Sequence, residues 1–224
     1  NRYNQSIAPD PHRTDYVKFG GLYRDVYLVT KNKLHVTFNW EYFDAGVHIT
    51  TPTVNTNNGT VSVKTTVAND NSVVKNCKIE TLIIDADGYV IKKLISNTSI
   101  QPNSKHTFRQ STVIEDNYNQ WSPDSPYLYR AHSIIYENDK PVDFVENTFG
   151  FRTFQLVKGK GFVLNGKPLF LIGANRHQSY PIIGDAVPNS FHYNEALQYK
   201  KAGMNILRLS HYTQDDAFIK ACDE

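Results

Sequence analysis

The sequence contains little cysteine and little methionine, and its charges nearly balance. Its 224 residues include two cysteines, one methionine, 24 basic and 22 acidic residues, which gives a formal net charge of +2. We assign the two cysteines to different domains, so the sequence does not predict a disulfide. Because the basic residues are scattered, no charge pattern typical of binding to nucleic acid or to a membrane surface is present.

Long apolar segments are also absent. No apolar run approaches the roughly 20 residues that a membrane helix needs, so no membrane partner is predicted. The first residues do not have the pattern of a secretory signal peptide. The single methionine is Met204, so we expect residue 1 to arise by processing or excision. These features predict a soluble protein and leave its compartment open between cytoplasmic and periplasmic or secreted.

Motifs for metals, nucleotides and serine nucleophiles are missing as well. The eight histidines are dispersed, and the sequence has no HExxH, CxxC, GxGxxG, Walker or GxSxG motif. No cofactor is therefore predicted, and no site for a structural or active-site alkali or alkaline-earth ion is identified. Paired carboxylates for acid–base catalysis cannot be assigned from the acidic residues that are present.

The middle of the chain, residues 46–154, contains short strands at regular spacing. Two of them, residues 77–84 and 89–94, flank Asp87-Gly88, a dipeptide that strongly predicts a hairpin turn. About seven such strands without an intervening helix predict an immunoglobulin-like β-sandwich. The 14 tyrosines and 12 phenylalanines are consistent with the core of such a sandwich and also with stacking on sugars, so they do not discriminate between the two.

The segment before the sandwich contains two strand candidates, residues 22–29 and 34–42, joined by a turn. A pair of strands is only marginally stable by itself. We therefore predict that residues 1–45 are the C-terminal part of a further β-domain.

After the sandwich the pattern changes to strands that alternate with helices. Residues 169–173 and 204–209 are apolar runs, as expected for strands buried on both faces. An amphipathic helix over residues 191–202 lies between them, and a second helix follows from residue 215. One and a half βα units of this kind predict a parallel sheet with right-handed crossovers.

The helix between the two apolar runs has recognisable ends. Ser190 is the predicted N-cap, and Gly203 is expected to end the helix. Tyr193, Ala196 and Leu197 fall on one face at helical spacing, together with Lys200. We expect this face to pack against the sheet.

The candidate functional residues lie at the ends of the two predicted parallel strands. Asn175, Arg176 and His177 follow the first apolar run, and Arg208 and His211 lie in and just after the second. The carboxyl ends of parallel strands meet at one edge of a sheet, where ligands bind. Imidazole and guanidinium groups form directional hydrogen bonds to hydroxyl and carboxylate groups. The sequence therefore favours a polar ligand site over histidines that merely satisfy loop carbonyls.

Arg208 lies inside a strand that is predicted to be buried, so its charge has to be explained separately. A buried guanidinium needs an anionic partner, since its desolvation is costly. The functional interpretation is a carboxylate on a later strand. The structural alternative is an ion pair with Asp185 or Asp215.

Four segments of the chain match a pattern found together in one family. They are GGLYRDV at residues 20–26, residues 121–129, residues 159–177, and NILRLSHY at residues 205–212 with Cys222-Asp223. They resemble glycoside hydrolase family 2, the family of β-galactosidases, β-glucuronidases and β-mannosidases. The resemblance implies a multidomain, mainly β chain. Its parts are the C-terminal part of a jelly-roll sugar-binding domain at residues 1–45, an immunoglobulin-like β-sandwich at residues 46–154, and the N-terminal part of a (β/α)8 TIM-barrel catalytic domain at residues 155–224.

The resemblance implies a glycoside hydrolase that cleaves β-linked O-glycosides with retention. In such enzymes one Glu is the nucleophile and another is the acid/base, about 5 Å apart. Both follow the matching region in the family, so no catalytic residue is assigned here and the two Glu are expected beyond Glu224. The chain alone is then expected to be inactive.

Further implications of the resemblance concern individual residues at the strand ends. His177 and His211, with Asn175 and Arg176, are implied to contact the substrate. Arg208 is implied to orient the nucleophile. A β-linked carbohydrate is the expected partner, and a homo-oligomer is left open.

The sugar is less well defined by the resemblance. Asn175-Arg176-His177 favours a β-galactosidase, since Lys commonly replaces the Arg in β-glucuronidases. Gln178 and Thr213 depart from the galactosidase pattern, in which Glu and Pro are common at these positions. The alternatives are a β-glucuronidase or β-mannosidase of the same family, and a non-catalytic carbohydrate-binding or scaffold protein.

Overall fold

The computed structural model describes residues 19–39, 45–116 and 118–224. These residues form two compact units. The first, Val29–Leu169, is called the sandwich unit below. The second, called the parallel unit, consists of Phe170–Glu224 and the described residues up to Leu28.

The sandwich unit contains eleven strands in its described residues. They are β1 (Leu34–Val36), β2 (Val47–Val54), β3 (Gly59–Asn69), β4 (Lys75–Ile84), β5 (Val90–Ile100), β6 (Ser104–Ile114), β7 (Tyr129–Glu137), β8 (Lys140–Phe149), β9 (Phe154–Val157), β10 (Gly161–Leu164) and β11 (Lys167–Pro168). In one antiparallel sheet β3 pairs with β1, β2 and β6, and the other has the order β5-β4-β7-β8. The short strands β9 to β11 form a third antiparallel sheet.

Alternating side chains of the two four-stranded sheets form one shared hydrophobic core. Along β3 and β4, every second residue over much of each strand is buried, which is the pattern of a half-buried strand. The predicted hairpin between β4 and β5 is present, with Gly88 at a φ of +95°. The prediction of an immunoglobulin-like β-sandwich is confirmed.

Tyr129 lies at the centre of this core. It is fully buried, and its ring stacks on Phe149 and meets Phe151 edge-on, at centroid distances of 5.5 and 5.3 Å. Its hydroxyl oxygen accepts a hydrogen bond from the Asn119 N–H at 2.7 Å. Burial raises the pKa of Tyr129 to about 12. The hydroxyl thus stays protonated at physiological pH and holds the segment before β7.

The segment before the sandwich differs from the prediction. Residues 22–29 form no strand, because no described strand pairs with them, and Leu22 and Leu28 are 89% and 95% exposed. Among the described residues 34–39 of the second strand candidate, Leu34–Val36 form β1, which pairs with β3 in the sandwich. Residues 1–18 and 40–44 of the predicted jelly-roll segment lie outside the described residues. The domain boundaries proposed above stay a prediction.

The parallel unit contains the predicted strand–helix–strand–helix order. Its elements are β12 (Gly173–Arg176), α1 (Asn189–Lys201), β13 (Ile206–Leu209) and α2 (Asp216–Asp223). The two strands pair in parallel, with Asn175 opposite Arg208. Neither helix is long and apolar enough to span a membrane, and this holds for all the residues that the structure describes.

The close approach of the two parallel strands depends on a glycine and an asparagine. A Cβ on Gly173 would lie 1.8 Å from the Ile206 carbonyl oxygen, so a side chain here would collide with the neighbouring strand. Asn205 accepts a hydrogen bond from the Ile172 N–H and donates one to the Phe170 carbonyl, both at 2.9 Å. These contacts fix the register of β13 against the segment that enters β12.

The expectations about the burial of the apolar runs and about the N-cap of α1 are wrong. The strands are not buried on both faces: Phe170 is 82% and Ile206 45% exposed, since a pair of strands cannot cover two faces within the described residues. The N-cap of α1 is Pro188 rather than Ser190, and it makes no side-chain capping bond. Gly203 does end the helix, with a φ of +82° that suits glycine.

We expect Tyr129→Phe to lower the free energy of unfolding by about 1 kcal/mol, because the hydrogen bond from the Asn119 N–H to the Tyr129 hydroxyl is lost. Tyr89→Phe is the matched control, since Tyr89 is 71% exposed. Urea unfolding of the two variants measures the difference. Equal stability of the two variants would show that the buried hydroxyl contributes nothing.

Candidate functional site

The carboxyl ends of β12 and β13 bring His177 and His211 together. Their ring centroids are 5.5 Å apart and the rings are nearly perpendicular, at 83°. The Tyr212 ring lies 6.0 Å from His177. The two histidines predicted from the sequence therefore share one edge, at which a ligand would meet both.

Arg208 extends along the exposed face of the strand pair. Its Nη1 donates to Ser210 Oγ at 2.9 Å and, more weakly, to Asn175 Oδ1 at 3.4 Å. Its Nη2 donates to His211 Nδ1 at 3.2 Å. A guanidinium can only donate, so Nδ1 is the acceptor and neutral His211 carries its proton on Nε2. The Arg208 guanidinium therefore holds the His211 ring through Nδ1.

The expectation that Arg208 is buried is wrong. Its side chain is exposed, because the β13 positions alternate and position 208 faces away from the helices. The two acids considered as its partners act elsewhere. Asp185 accepts a hydrogen bond from the Ser179 hydroxyl at 2.6 Å, and Asp215 caps α2 by accepting from the Ala217 N–H at 2.9 Å.

The buried arginine of this unit is Arg176, whose side chain has no exposed surface. Its Nε and Nη2 donate to Glu195 Oε2 at 3.0 and 2.6 Å. Nη2 also donates to His192 Nδ1 at 2.8 Å, and Nη1 donates to Gln214 Oε1. The guanidinium carbon lies 3.7 Å from the centroid of the Phe218 ring. The group is therefore enclosed on every side by α1, α2 and the segment before α2.

This arrangement does not support the predicted contact between Arg176 and the substrate. All three guanidinium nitrogens already donate to protein acceptors, so none is directed to the strand edge. The sequence analysis missed Glu195 and His192. It predicted that the face with Tyr193 and Leu197 points inward, whereas the inward face is shifted by about one residue toward the N-terminus. The spacing of His192, Glu195 and Tyr199 at i, i+3 and i+7 was the available signal.

The environment of Arg176 keeps His192 neutral. Burial, and secondly the nearby Arg176 cation, lower the pKa of His192. Because Arg176 donates to Nδ1, the single proton of this imidazole is on Nε2. The Tyr199 hydroxyl donates to Glu195 Oε1 at 3.2 Å, and burial, followed by the Glu195 charge, raises the pKa of Tyr199. The cluster thus carries one cation, one anion and neutral partners.

A metal centre is not formed by the part of the chain that the structure describes. In residues 19–39, 45–116 and 118–224, no three His, Cys, Asp or Glu side chains come together as metal ligands. The described strand edge instead presents imidazole, guanidinium and amide groups. Such groups bind hydroxyl and carboxylate oxygens by hydrogen bonds.

The chain thus consists of an antiparallel β-sandwich that is followed, along the sequence, by a parallel βα unit. The model of the family described as Glycosyl hydrolases family 2 matches residues 42–152. The model described as Glycosyl hydrolases family 2, TIM barrel domain, matches residues 155–224. The chain belongs to glycosyl hydrolase family 2.

Individual relatives agree with this assignment. The β-galactosidase of Thermoanaerobacter pseudethanolicus is 34% identical over 100% of this chain and 28% of its own length. The β-galactosidase of Thermoanaerobacterium thermosulfurigenes is 30% identical over 97% of this chain and 29% of its own length. A solved structure of Bacteroides uniformis β-glucuronidase 2, covalently bound to cyclophellitol-6-carboxylate aziridine, superimposes with a TM-score of 0.91. It is 32% identical over 99% of this chain and 26% of its own. The chain therefore spans between a quarter and a third of each of these proteins.

We expect Glu195→Gln to destabilise the parallel unit by about 3 kcal/mol, because it leaves the buried Arg176 charge without its anion. Glu115→Gln, which alters an exposed carboxylate in the sandwich unit, is the control. Hydrogen exchange of the α1 amides measures the loss locally. Unchanged α1 protection in Glu195→Gln would contradict the importance of this ion pair.

The lowered pKa of His192 predicts a pH dependence of stability. The folded unit binds the His192 proton less readily than the unfolded chain, so this contribution is complete above the unfolded pKa of about 6.5. It is lost as the pH falls below that value. We expect α1 protection to fall between pH 7 and pH 5, and to fall less in His192→Asn, in which the amide oxygen can replace Nδ1. His106→Gln, at an exposed site, should keep the wild-type slope; equal slopes in wild type and His192→Asn would contradict the assignment.

Proposed function

We propose that the protein containing this chain is a retaining β-glycosidase of the β-galactosidase type, acting on β-linked carbohydrates. The observation that carries this proposal is the pairing of His177 and His211 at 5.5 Å, at the carboxyl edge of a parallel strand pair in a family 2 chain. Ligands bind at this edge in parallel β/α architectures. The two β-galactosidase relatives match nearly the whole chain and agree with this choice of sugar, while a relative of similar identity carries the name β-glucuronidase.

In this proposal the polar groups at the strand edge have two different roles. His177, His211 and Asn175 contact sugar hydroxyls. Arg208 orients the nucleophilic carboxylate, which is supplied from outside these 224 residues. Arg208 suits this role, because its exposed guanidinium forms charge-assisted hydrogen bonds and also holds His211.

A β-glucuronidase is the second candidate. It is favoured by the likeness of the chain to the B. uniformis β-glucuronidase 2 structure, with a TM-score of 0.91 and 32% identity. A uronic acid carries a carboxylate that needs a cationic partner. Asn175-Arg176-His177 does not supply one, because Arg176 is enclosed by α1 and α2.

The experiment compares the full-length protein on the aryl β-galactoside, β-glucuronide and β-mannoside. We expect the highest kcat/KM on the galactoside. Arg208→Lys should lower kcat on that substrate about 100-fold, because an ammonium cannot hold His211 and a carboxylate in one plane. Arg152→Lys in the sandwich unit is the matched control and should leave kcat unchanged.

The outcomes separate the candidates. Preference for the glucuronide would replace the galactosidase proposal with the second candidate. Binding of β-linked sugar without turnover on any of the three substrates would support the non-catalytic alternative. The 224-residue polypeptide alone is expected to hydrolyse none of them, and measurable turnover by pure polypeptide would place a catalytic carboxylate among these residues.

A further inference from the structure

Two buried glutamines hold the two loops that carry the site histidines. Gln178 directly follows His177, and Gln214 lies three residues after His211; each glutamine is only 1% exposed. We propose that Gln214 and Gln178, together with Arg176, are positioning residues that set the separation of His177 and His211. The catalytic part of this inference rests on the proposed glycosidase function.

Arg176 connects the two loops in two ways. Its carbonyl oxygen accepts a hydrogen bond from the Ser210 N–H at 2.9 Å, next to His211. Its Nη1 donates to Gln214 Oε1. Since His177 is the next residue after Arg176, both histidine loops are connected to this one residue, whose side chain is held by Glu195.

Gln214 passes this connection on to the His211 loop. While its Oε1 accepts from Arg176, its Nε2 donates to the carbonyl oxygens of Tyr212 at 3.3 Å and Ser210 at 3.5 Å. These carbonyls lie on either side of His211. An amide is required here, because a carboxylate cannot donate to the carbonyls and an ammonium cannot accept from the guanidinium.

Gln178 makes the reciprocal connection from the His177 loop. Its backbone N–H donates to the Tyr212 hydroxyl at 3.3 Å, and its side-chain Oε1 accepts from the Asp215 backbone N–H at 3.1 Å. Asp215 is the N-cap of α2, so this bond ties the loop after β12 to the start of a helix. Each loop is thus held by a side chain of the other, and burial makes a lost bond costly.

The test separates the two functions of the Gln214 amide. Gln214→Glu keeps an acceptor for Arg176 but removes the donor to the loop carbonyls, whereas Gln214→Leu removes both. Gln198→Leu, on the exposed face of α1, is the matched control. The first readout is the NOE between the His177 and His211 rings in the ¹⁵N-labelled protein, with α1 amide protection recorded alongside. The second is kcat and KM of the full-length enzyme on the aryl β-galactoside.

We expect Gln214→Glu to keep α1 protection and to lose the inter-ring NOE. Its kcat should fall about 10- to 100-fold, because small displacements of positioned groups slow the chemical step. KM should change less than kcat. Gln214→Leu should lose α1 protection as well, and Gln198→Leu should match wild type in every readout.

Retention of both the inter-ring NOE and the wild-type kcat in Gln214→Glu would overturn the proposal. So would loss of α1 protection in Gln214→Glu, since the amide would then serve the fold rather than the histidine loops. If the wild-type enzyme hydrolyses no β-glycoside, the proposed function fails. In that case the NOE alone decides whether Gln214 positions the histidines.

Discussion

The parallel unit depends on the complete desolvation of one guanidinium. Arg176 has no exposed surface, so each of its nitrogens must find an acceptor inside the protein. That requirement explains why the inward face of α1 carries His192 and Glu195, and why Gln214 is buried before α2. The strand edge with His177 and His211 is built on this polar cluster rather than on an apolar core.

The sandwich unit, in contrast, is built around an apolar core, and its fold could be predicted from the sequence. Alternation over much of β3 and β4 specifies which face of each strand is buried. Asp87-Gly88 specifies the hairpin between β4 and β5, so the sequence pattern and the structure agree there. The order of strands and helices after residue 170 was equally visible, because apolar runs and a terminating Gly203 mark their limits. The joint location of His177 and His211 followed from that order.

The roles of the two arginines could not be predicted in the same way. Arg176 and Arg208 both lie in short strands, and the pattern does not state which strand face the helices cover. The register pairs Asn175 with Arg208 and Arg176 with Leu209, which places Arg208 on the exposed face and Arg176 on the covered one. A shift of one residue on a strand reverses the face, so the buried and the exposed arginine were exchanged.

The two faces of the strand pair also differ in their freedom to diverge during evolution. On the exposed face, Asn175 and Arg208 contact each other and neighbouring loop groups, so a replacement there need not disturb the buried cluster. On the covered face, a replacement of Arg176 that cannot donate leaves the acceptors of Glu195 and Gln214 without their partner. A substitution is therefore accommodated more easily on the exposed face, at Asn175 or Arg208, than on the covered face at Arg176.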